Sequence, residues 1–187
     1  MWTSAPIIIW DNYNQNYEAY SPLDYSYILN PGQAFFVQRP IDEETSLFIK
    51  EGRQLNTTRR DITYNHGSRA MSAGTNRSVF NLILSSGEHG DRTRFVINPQ
   101  ASKAYEASRD ASKFVSLEFV PMLYTIENGL RYAINERPMA EGLVTVGMQI
   151  TENGSYTLKL DTQVENEVYL IDHLMGTEVL LTEQGYA

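Results

Sequence analysis

The sequence predicts an all-β protein: one antiparallel β-sandwich, jelly-roll-like, that spans residues 1–187 and contains at most one short helix. Short apolar runs of strand length recur at a spacing of about ten residues, with turn residues between them, as is typical of β-sandwiches. No helical pattern alternates with these runs, which disfavours a parallel sheet with crossover helices.

The N-terminal third contributes the first strands of this prediction. Residues 6–10 form a short, β-branched run. A second strand over residues 34–38 follows a turn at residues 30–32 and ends before Pro40, which cannot donate a ladder hydrogen bond. A third strand is predicted over residues 45–49. A weaker fourth strand is predicted over residues 61–64, within the polar, arginine-bearing stretch that follows.

The middle of the chain predicts a hairpin and a short helical segment. Residues 78–85 are dense in apolar side chains, and a turn connects them to a strand over residues 92–97. Residues 99–113 are rich in Ala, Lys, Glu and Ser and lack β-branched residues, so a short helix or helical turn is expected there. Three further strands are predicted over residues 115–120, 122–126 and 131–135, interrupted by Pro121 and by Asn128-Gly129.

The C-terminal part predicts a β-meander. Asn153-Gly154 favours a type I′ hairpin because both residues tolerate positive backbone φ angles. Apolar side chains alternate on both sides of this turn, at Val146, Met148 and Ile150 and again at Tyr156, Leu158 and Leu160. The same period of two returns around a turn at residues 174–176, with Val168 and Leu170 before it and Val179 and Leu181 after it.

Length, charge and composition narrow the function classes. A chain of 187 residues can form one domain, or at most two small ones, with a sizeable core. The net charge of −8 and the pI of about 4.9 disfavour nucleic acid and anionic membrane surfaces as partners. No apolar run approaches the roughly 18 residues of a membrane span, so membrane insertion is not expected. The absence of cysteine excludes disulfides, thiolate metal sites and cysteine nucleophiles.

Motifs for catalysis or metal binding are not recognisable. The three histidines are widely spaced, and residues 11–16 depart from the ligand pattern of a calcium loop. The chain has neither a G-x-S-x-G elbow nor a glycine-rich phosphate loop. Asp91-Arg92 is interpreted as an ion pair that fixes a hairpin rather than as a catalytic pair. We therefore predict a non-enzyme without metal or cofactor; a glycan hydrolase stays open because two facing carboxylates leave no sequence signal.

The best candidate for ligand binding is an aromatic segment near the N-terminus. Residues 13–27 contain five tyrosines among polar residues. The candidate ligand-binding residues are Trp10, Tyr13, Tyr17 and Tyr20, which alternate with Asn12, Asn14 and Asn16. Flat aromatic faces beside amide groups suit stacking on sugar rings and hydrogen bonding to their hydroxyls. The alternative interpretation is that these rings cover the core beneath a long loop.

A family resemblance adds to these predictions. The ordered motifs are NPGQAFFVQ (30–38), DR followed by an apolar strand (91–97), DASK (110–113), LYT (123–125), AIN (133–135), NGSYTLKL (153–160) and VYLIDHLMGTEVLL (168–181). Together they resemble a recurring C-terminal, adhesin-like β-sandwich region of large secreted or surface proteins of Bacteroidetes bacteria. The resemblance implies a non-catalytic module at the cell surface or outside the cell, with a structural or adhesion role. Its partners would be other domains of the same protein, and a surface glycan or protein in addition.

Both ends of the chain depart from that pattern. Relatives open with an Asn-Pro-Tyr segment upstream of the first strand, whereas this chain starts at Met1-Trp2-Thr3. Relatives also continue past the last tyrosine with one more strand, whereas this chain ends at Tyr186-Ala187. We therefore expect a fragment or C-terminal module of a larger protein. A sheet edge that lacks its last strand invites pairing with a second copy, so an edge-mediated homodimer is a further expectation. The alternative function is a carbohydrate-binding module that uses the Tyr-rich segment.

Overall fold

A computed structural model describes residues 5–21, 29, 32–38, 77–87, 89–138, 142–150, 152–161 and 167–187. Within these ranges the chain forms twelve strands and no helix, which confirms the predicted all-β class. The strands lie in three sheets. The predicted strands over residues 45–49 and 61–64 fall outside the described residues.

The strands are named here in chain order. A small sheet contains β1 (Ile7–Asp11), β2 (Asn16–Tyr20) and β3 (Phe36–Val37), in the order β2-β1-β3. The large sheet contains β4 (Ser78–Ser86), β5 (His89–Ile97), β6 (Ala111–Ser112), β7 (Met122–Glu127), β8 (Leu130–Arg137), β9 (Thr145–Gln149) and β10 (Thr157–Leu160). Its order is β10-β4-β5-β8-β7-β9, and β6 pairs with β8. A separate hairpin consists of β11 (Tyr169–Asp172) and β12 (Thr177–Leu180).

The large sheet curls around an apolar core. Buried side chains from β4, β5, β7 and β10 meet there, and Val146 of the edge strand β9 and Leu170 of β11 pack against them. The buried members are Phe80, Leu82, Leu84, Phe95, Leu123, Leu158, Leu160 and Leu181. A second cluster joins the small sheet to β6 and β8 through Ile8, Ala19, Ala111, Ala133 and Ile134. Two packed layers with an apolar interior give a β-sandwich-like fold.

The predicted meander is only partly present. Strands β9 and β10 do not pair with each other: β9 pairs with β7, and β10 pairs with β4 at the opposite edge of the sheet. The prediction of a type I′ hairpin at Asn153-Gly154 is therefore wrong, and the φ angle of Gly154 lies outside the left-handed region. Asn128 and Gly129, with φ angles of 50° and 77°, instead form the two-residue turn between β7 and β8 that has the positive φ values of type I′.

Three other elements differ from the sequence predictions. The strand predicted over residues 115–120 is absent; this segment is a loop in which the Val120 N–H donates to the Leu117 carbonyl, and β7 begins only after Pro121. Residues 99–113 contain no helix: they form turns and then β6, and the predicted alternative, a helical turn, is present as one hydrogen bond from the Asp110 N–H to the Glu106 carbonyl. Strand β2 lies in the Tyr-rich segment, where no strand was predicted. Its alternation is hard to recognise because polar and apolar residues of β2 are both buried.

The two edges of the large sheet differ. Along β10, residues near the C-terminus add hydrogen bonds: Leu158 exchanges two with Tyr186, and the Leu160 N–H donates to the Thr182 carbonyl. The β9 edge has no second strand beside it among the residues that the structure describes. The one parallel pair in the described part, β5 with β8, departs from the predicted antiparallel arrangement.

Candidate functional site

The predicted aromatic residues do not form one platform. Trp10 and Tyr17 are cross-strand partners in the β1–β2 hairpin, and their ring centroids lie 5.0 Å apart in an edge contact. Tyr17 also contacts Phe36 and Phe114, at centroid distances of 5.9 and 5.4 Å. These rings pack beside the second core cluster, so the alternative interpretation, in which they cover the core, describes Tyr17 well.

The two remaining tyrosines lie elsewhere. Tyr20 is on the opposite face of β2, where its hydroxyl bonds to Glu18 and the guanidinium of Arg92 lies 4.8 Å from its ring centre. Tyr13 is at the tip of the β1–β2 hairpin and is 74 % exposed. Asp11 fixes this tip, because its carboxylate accepts the Tyr13 N–H at 2.9 Å and the Asn14 side-chain amide at 2.7 Å. The structure thus brings Trp10 and Tyr17 together, but not all four candidates.

Asp91 is the centre of a buried polar cluster that joins four segments. Lys113 Nζ lies 2.6 and 2.5 Å from its two carboxylate oxygens. The Leu123 N–H donates to the same carboxylate at 2.6 Å, and Asn16 Nδ2 donates to it at 3.2 Å. Burial raises the pKa of Asp91, while Lys113 and the backbone donors oppose this. The predicted Asp91–Arg92 ion pair is wrong: neighbouring residues of a strand point to opposite faces, and Arg92 pairs with Glu18 at 3.5 Å.

A second buried cluster surrounds Asp110 and Glu136. The two Asp110 carboxylate oxygens accept the backbone N–H groups of Glu136, at 2.8 Å, and Glu106, at 2.7 Å. Glu136 in turn binds Arg77 at 2.5 Å and the side-chain amide of Asn98 at 2.6 Å. Burial raises the pKa of the Asp110 carboxyl to about 6, although the two backbone donors lower it. Both clusters hold strands and loops together.

An open groove lies at the turn of the β4–β5 hairpin. It has a volume of about 460 Å³ and is lined by Ser86, Gly87, His89, Phe119, Glu152 and Tyr156. The Phe119 ring, 46 % exposed, lies 5.5 Å from the His89 ring. Ser86 Oγ donates to the His89 carbonyl at 3.4 Å, so this hydroxyl is directed at the main chain rather than at an imidazole. Apolar, hydroxyl, imidazole and carboxylate groups therefore border the same space.

A second surface feature is the outer face of the β11–β12 hairpin. Tyr169 and Ile171 lie on this face of β11, and Leu180 stands opposite Tyr169 on β12. All three are between 43 and 49 % exposed. At the tip, Leu174 is 93 % and Met175 is 67 % exposed. We call this set of five side chains the hairpin patch. Exposed apolar side chains grouped on one small element are typical of interaction sites.

Sequence reasoning missed both surface features, for different reasons. The groove residues come from three segments that only the fold brings together, so no local pattern marks them. The hairpin patch does leave a signal. Residues 168–171 are apolar at every position, although a strand with only one buried face alternates. Leu170 packs against the core from the inner face of β11. Tyr169 and Ile171 lie on the opposite face of this strand and are exposed.

No group of three or more His, Asp or Glu side chains in the described ranges is arranged to hold a metal ion. No helix in those ranges is long and apolar enough to cross a membrane.

A family model described as Domain of unknown function (DUF8693) matches residues 2–187. The comparisons with curated proteins and with solved structures gave no match.

Proposed function

We propose a structural or adhesive role for this chain, which belongs to the family described as Domain of unknown function (DUF8693). In this role it is a non-catalytic β-sandwich module of a larger extracellular or cell-surface protein. The hairpin patch is the observation that carries this proposal. Five large apolar side chains on one two-stranded hairpin are costly to leave in water, at roughly 25 cal/mol per Å² of apolar surface. A partner that covers them gains that free energy.

The buried carboxylates also support a structural role. The buried acidic residues of the described ranges are Asp11, Glu18, Asp91, Asp110 and Glu136. Each is bound to a backbone N–H, an amide, a hydroxyl or a cation of the domain itself. A glycan hydrolase instead needs two carboxyl groups that face each other across a substrate cleft. The protein uses its buried acids to join strands and loops.

Charge identifies the kind of partner. The chain carries a net charge of −8, and acidic side chains border the hairpin patch: Glu178 stands opposite Ile171, and Glu167 accepts the Tyr169 hydroxyl. Two copies that met through this face would bring these acids together, which opposes self-association. We therefore commit to a different domain of the same parent protein, with an apolar centre and basic groups around it.

Binding between separately expressed parts of the native reading frame tests this proposal. The wild-type chain is expected to bind one of the other domains, and the double variant Ile171→Ser and Leu180→Ser is expected to weaken that binding at least about tenfold, or 1.4 kcal/mol. Leu130→Ser is the matched control, because Leu130 is equally exposed but lies at the β7–β8 turn. Equal loss in both variants, or no binding to any domain, would contradict the proposal.

The second candidate function is carbohydrate binding through the Tyr-rich segment. It is favoured by Tyr13, whose ring is exposed at a hairpin tip with Asn12 beside it. Since Trp10 and Tyr17 pack against other aromatic rings, Tyr13 is the member of the four with the most accessible face. Glycan-array binding that Tyr13→Ala abolishes, with unchanged thermal unfolding, would support this candidate. An array without signal for the folded wild-type chain would remove it.

A further inference from the structure

The geometry points to the groove beside the β4–β5 turn as a binding site for a neutral saccharide. This site, which we call the turn groove, goes beyond the attachment role proposed above and shares only the ligand class with the second candidate. It uses none of the four aromatic residues of the Tyr-rich segment, because it is built from the ends of β4 and β5, the loop before β7 and the segment before β10.

The first argument is the arrangement of rings. Phe119 is nearly half exposed, although a phenylalanine gains most when it is buried, and it lies against His89 at an angle of 53°. Tyr156 borders the groove as a second ring and is fixed by a hydrogen bond of 2.9 Å from its hydroxyl to the Glu152 carbonyl. A sugar ring has an apolar face of C–H groups that packs on such aromatic rings.

The second argument is the polar lining of the groove. His89 contributes an imidazole, and a neutral imidazole both donates and accepts hydrogen bonds. Its Nδ1 atom is buried and does not face the ligand. Ser86 and Glu152 add a hydroxyl and a carboxylate to the same space. A ligand rich in hydroxyl groups matches this lining.

Size and charge define the ligand class. The groove has a volume of about 460 Å³ and is open, so it contacts one face of a single sugar ring rather than enclosing a ligand. The groove is open to the surface, so a longer glycan chain can continue on either side. Glu152 and the net charge of −8 repel acidic sugars. The expected ligand is therefore a neutral hexose or pentose unit of an oligosaccharide.

The tip of the β1–β2 hairpin lies next to this region. Asn16 Nδ2 donates to the Gly90 carbonyl at 2.7 Å, and Gly90 follows His89 directly. Asn14 Oδ1 would lie 3.8 Å from a Cβ atom at Gly90, so the tip is close to the start of β5. Whether sugar binding uses the turn groove or Tyr13 can consequently be decided only by variants that separate the two.

Titration with defined hexasaccharides tests the inference. Cellohexaose, xylohexaose and mannohexaose serve as neutral probes, and a galacturonic acid hexamer serves as the acidic probe. At least one neutral probe is expected to bind with a Kd of about 1 mM or lower, with chemical-shift changes at the groove residues in NMR spectra. Phe119→Ala should weaken this binding at least about tenfold, and Ser86→Ala more mildly. Leu117→Ala is the matched control, since Leu117 lies on the same loop, is 43 % exposed and does not line the groove.

Each outcome decides for or against the groove. Unchanged affinity in Phe119→Ala with loss in Tyr13→Ala would overturn it in favour of the Tyr-rich segment. Absence of binding to all three neutral probes, or preference for the acidic hexamer, would overturn it as well. Release of new reducing ends that Glu152→Gln abolishes would replace a binding site by an active site. The double variant Ile171→Ser and Leu180→Ser should leave saccharide affinity unchanged. The result for the turn groove can therefore be distinguished from the result for the attachment role of the hairpin patch.

Discussion

Removal of the cation from the Asp91 cluster should destabilise the domain strongly and make its stability depend on pH. In Lys113→Met, the buried carboxylate of Asp91 loses its cationic partner, while the Leu123 and Asn16 donors remain. Loss of one partner from a buried pair costs about 3–5 kcal/mol because the other charge stays buried. Both side chains of this pair are at most 3 % exposed, so solvent does little to reduce the cost.

The pH dependence of this variant has a defined sign. Burial already raises the pKa of Asp91 in the folded protein, and removal of Lys113 takes away the largest opposing influence. A carboxyl whose pKa is higher in the folded than in the unfolded state stabilises the fold at low pH, and this contribution is lost as the pH rises through the folded pKa. Lys113→Met should therefore be least stable, relative to the wild type, at neutral and alkaline pH.

Urea unfolding followed by tryptophan fluorescence at acidic and at alkaline pH measures the effect. Lys103→Met is the matched control, because Lys103 is exposed, and its unfolding free energy should change by less than about 0.5 kcal/mol. The double variant Asp91→Asn and Lys113→Met should recover much of the loss, since it leaves no unpaired charge in the interior. A loss below about 1 kcal/mol for Lys113→Met, or the same loss at both pH values, would refute this account of the cluster.

Three further predictions concern other parts of the fold. Burial raises the pKa of Asp110 to about 6. The free energy of unfolding should therefore fall by up to roughly 3 kcal/mol as the pH rises through that value. Asp110→Asn should flatten this pH dependence in urea titrations across the same range. Gly147→Ala should cost about 1–3 kcal/mol in thermal unfolding because its Cβ would overlap the buried Tyr124 ring, whereas Gly154→Ala, with 3.7 Å to its nearest neighbour, should be neutral. An edge-mediated homodimer should form through the edge strand β9. Light scattering at high concentration should then show a dimer that Met148→Lys dissociates. A strictly monomeric mass of the wild-type chain would count against this prediction.

Local signals in the sequence predict the local elements well. The β4–β5 hairpin, the strands on both sides of Asn128-Gly129 and the β11–β12 hairpin were all predicted from short-range periodicity and turn residues, and the structure confirms them. The two Asn-Gly pairs show the limit of this approach. Only the pair at residues 128–129 forms a tight hairpin, because β9 and β10 each gain a better partner at opposite edges of the sheet. A dipeptide cannot report such long-range pairing.

The polar clusters and surface sites depend even more on distant parts of the chain. Asp91 meets Lys113, Asn16 and Leu123, which are 22 to 75 residues away in sequence, so no motif could predict these contacts. The wrong Asp91–Arg92 pair could have been avoided, since adjacent residues of a strand face opposite sides. The continuous apolar run at residues 168–171 could likewise have indicated the hairpin patch. The turn groove had no such signal.

The most direct test of the attachment role is photo-crosslinking from the hairpin patch in the intact parent protein. A photoreactive residue at position 171 is expected to crosslink within the same polypeptide, to a different domain with basic residues near the contact. The same group at position 130, at the start of β8 and similarly exposed, is expected to give no such product. Crosslinks from position 171 only to a second copy of the chain, or none at all, would contradict the account.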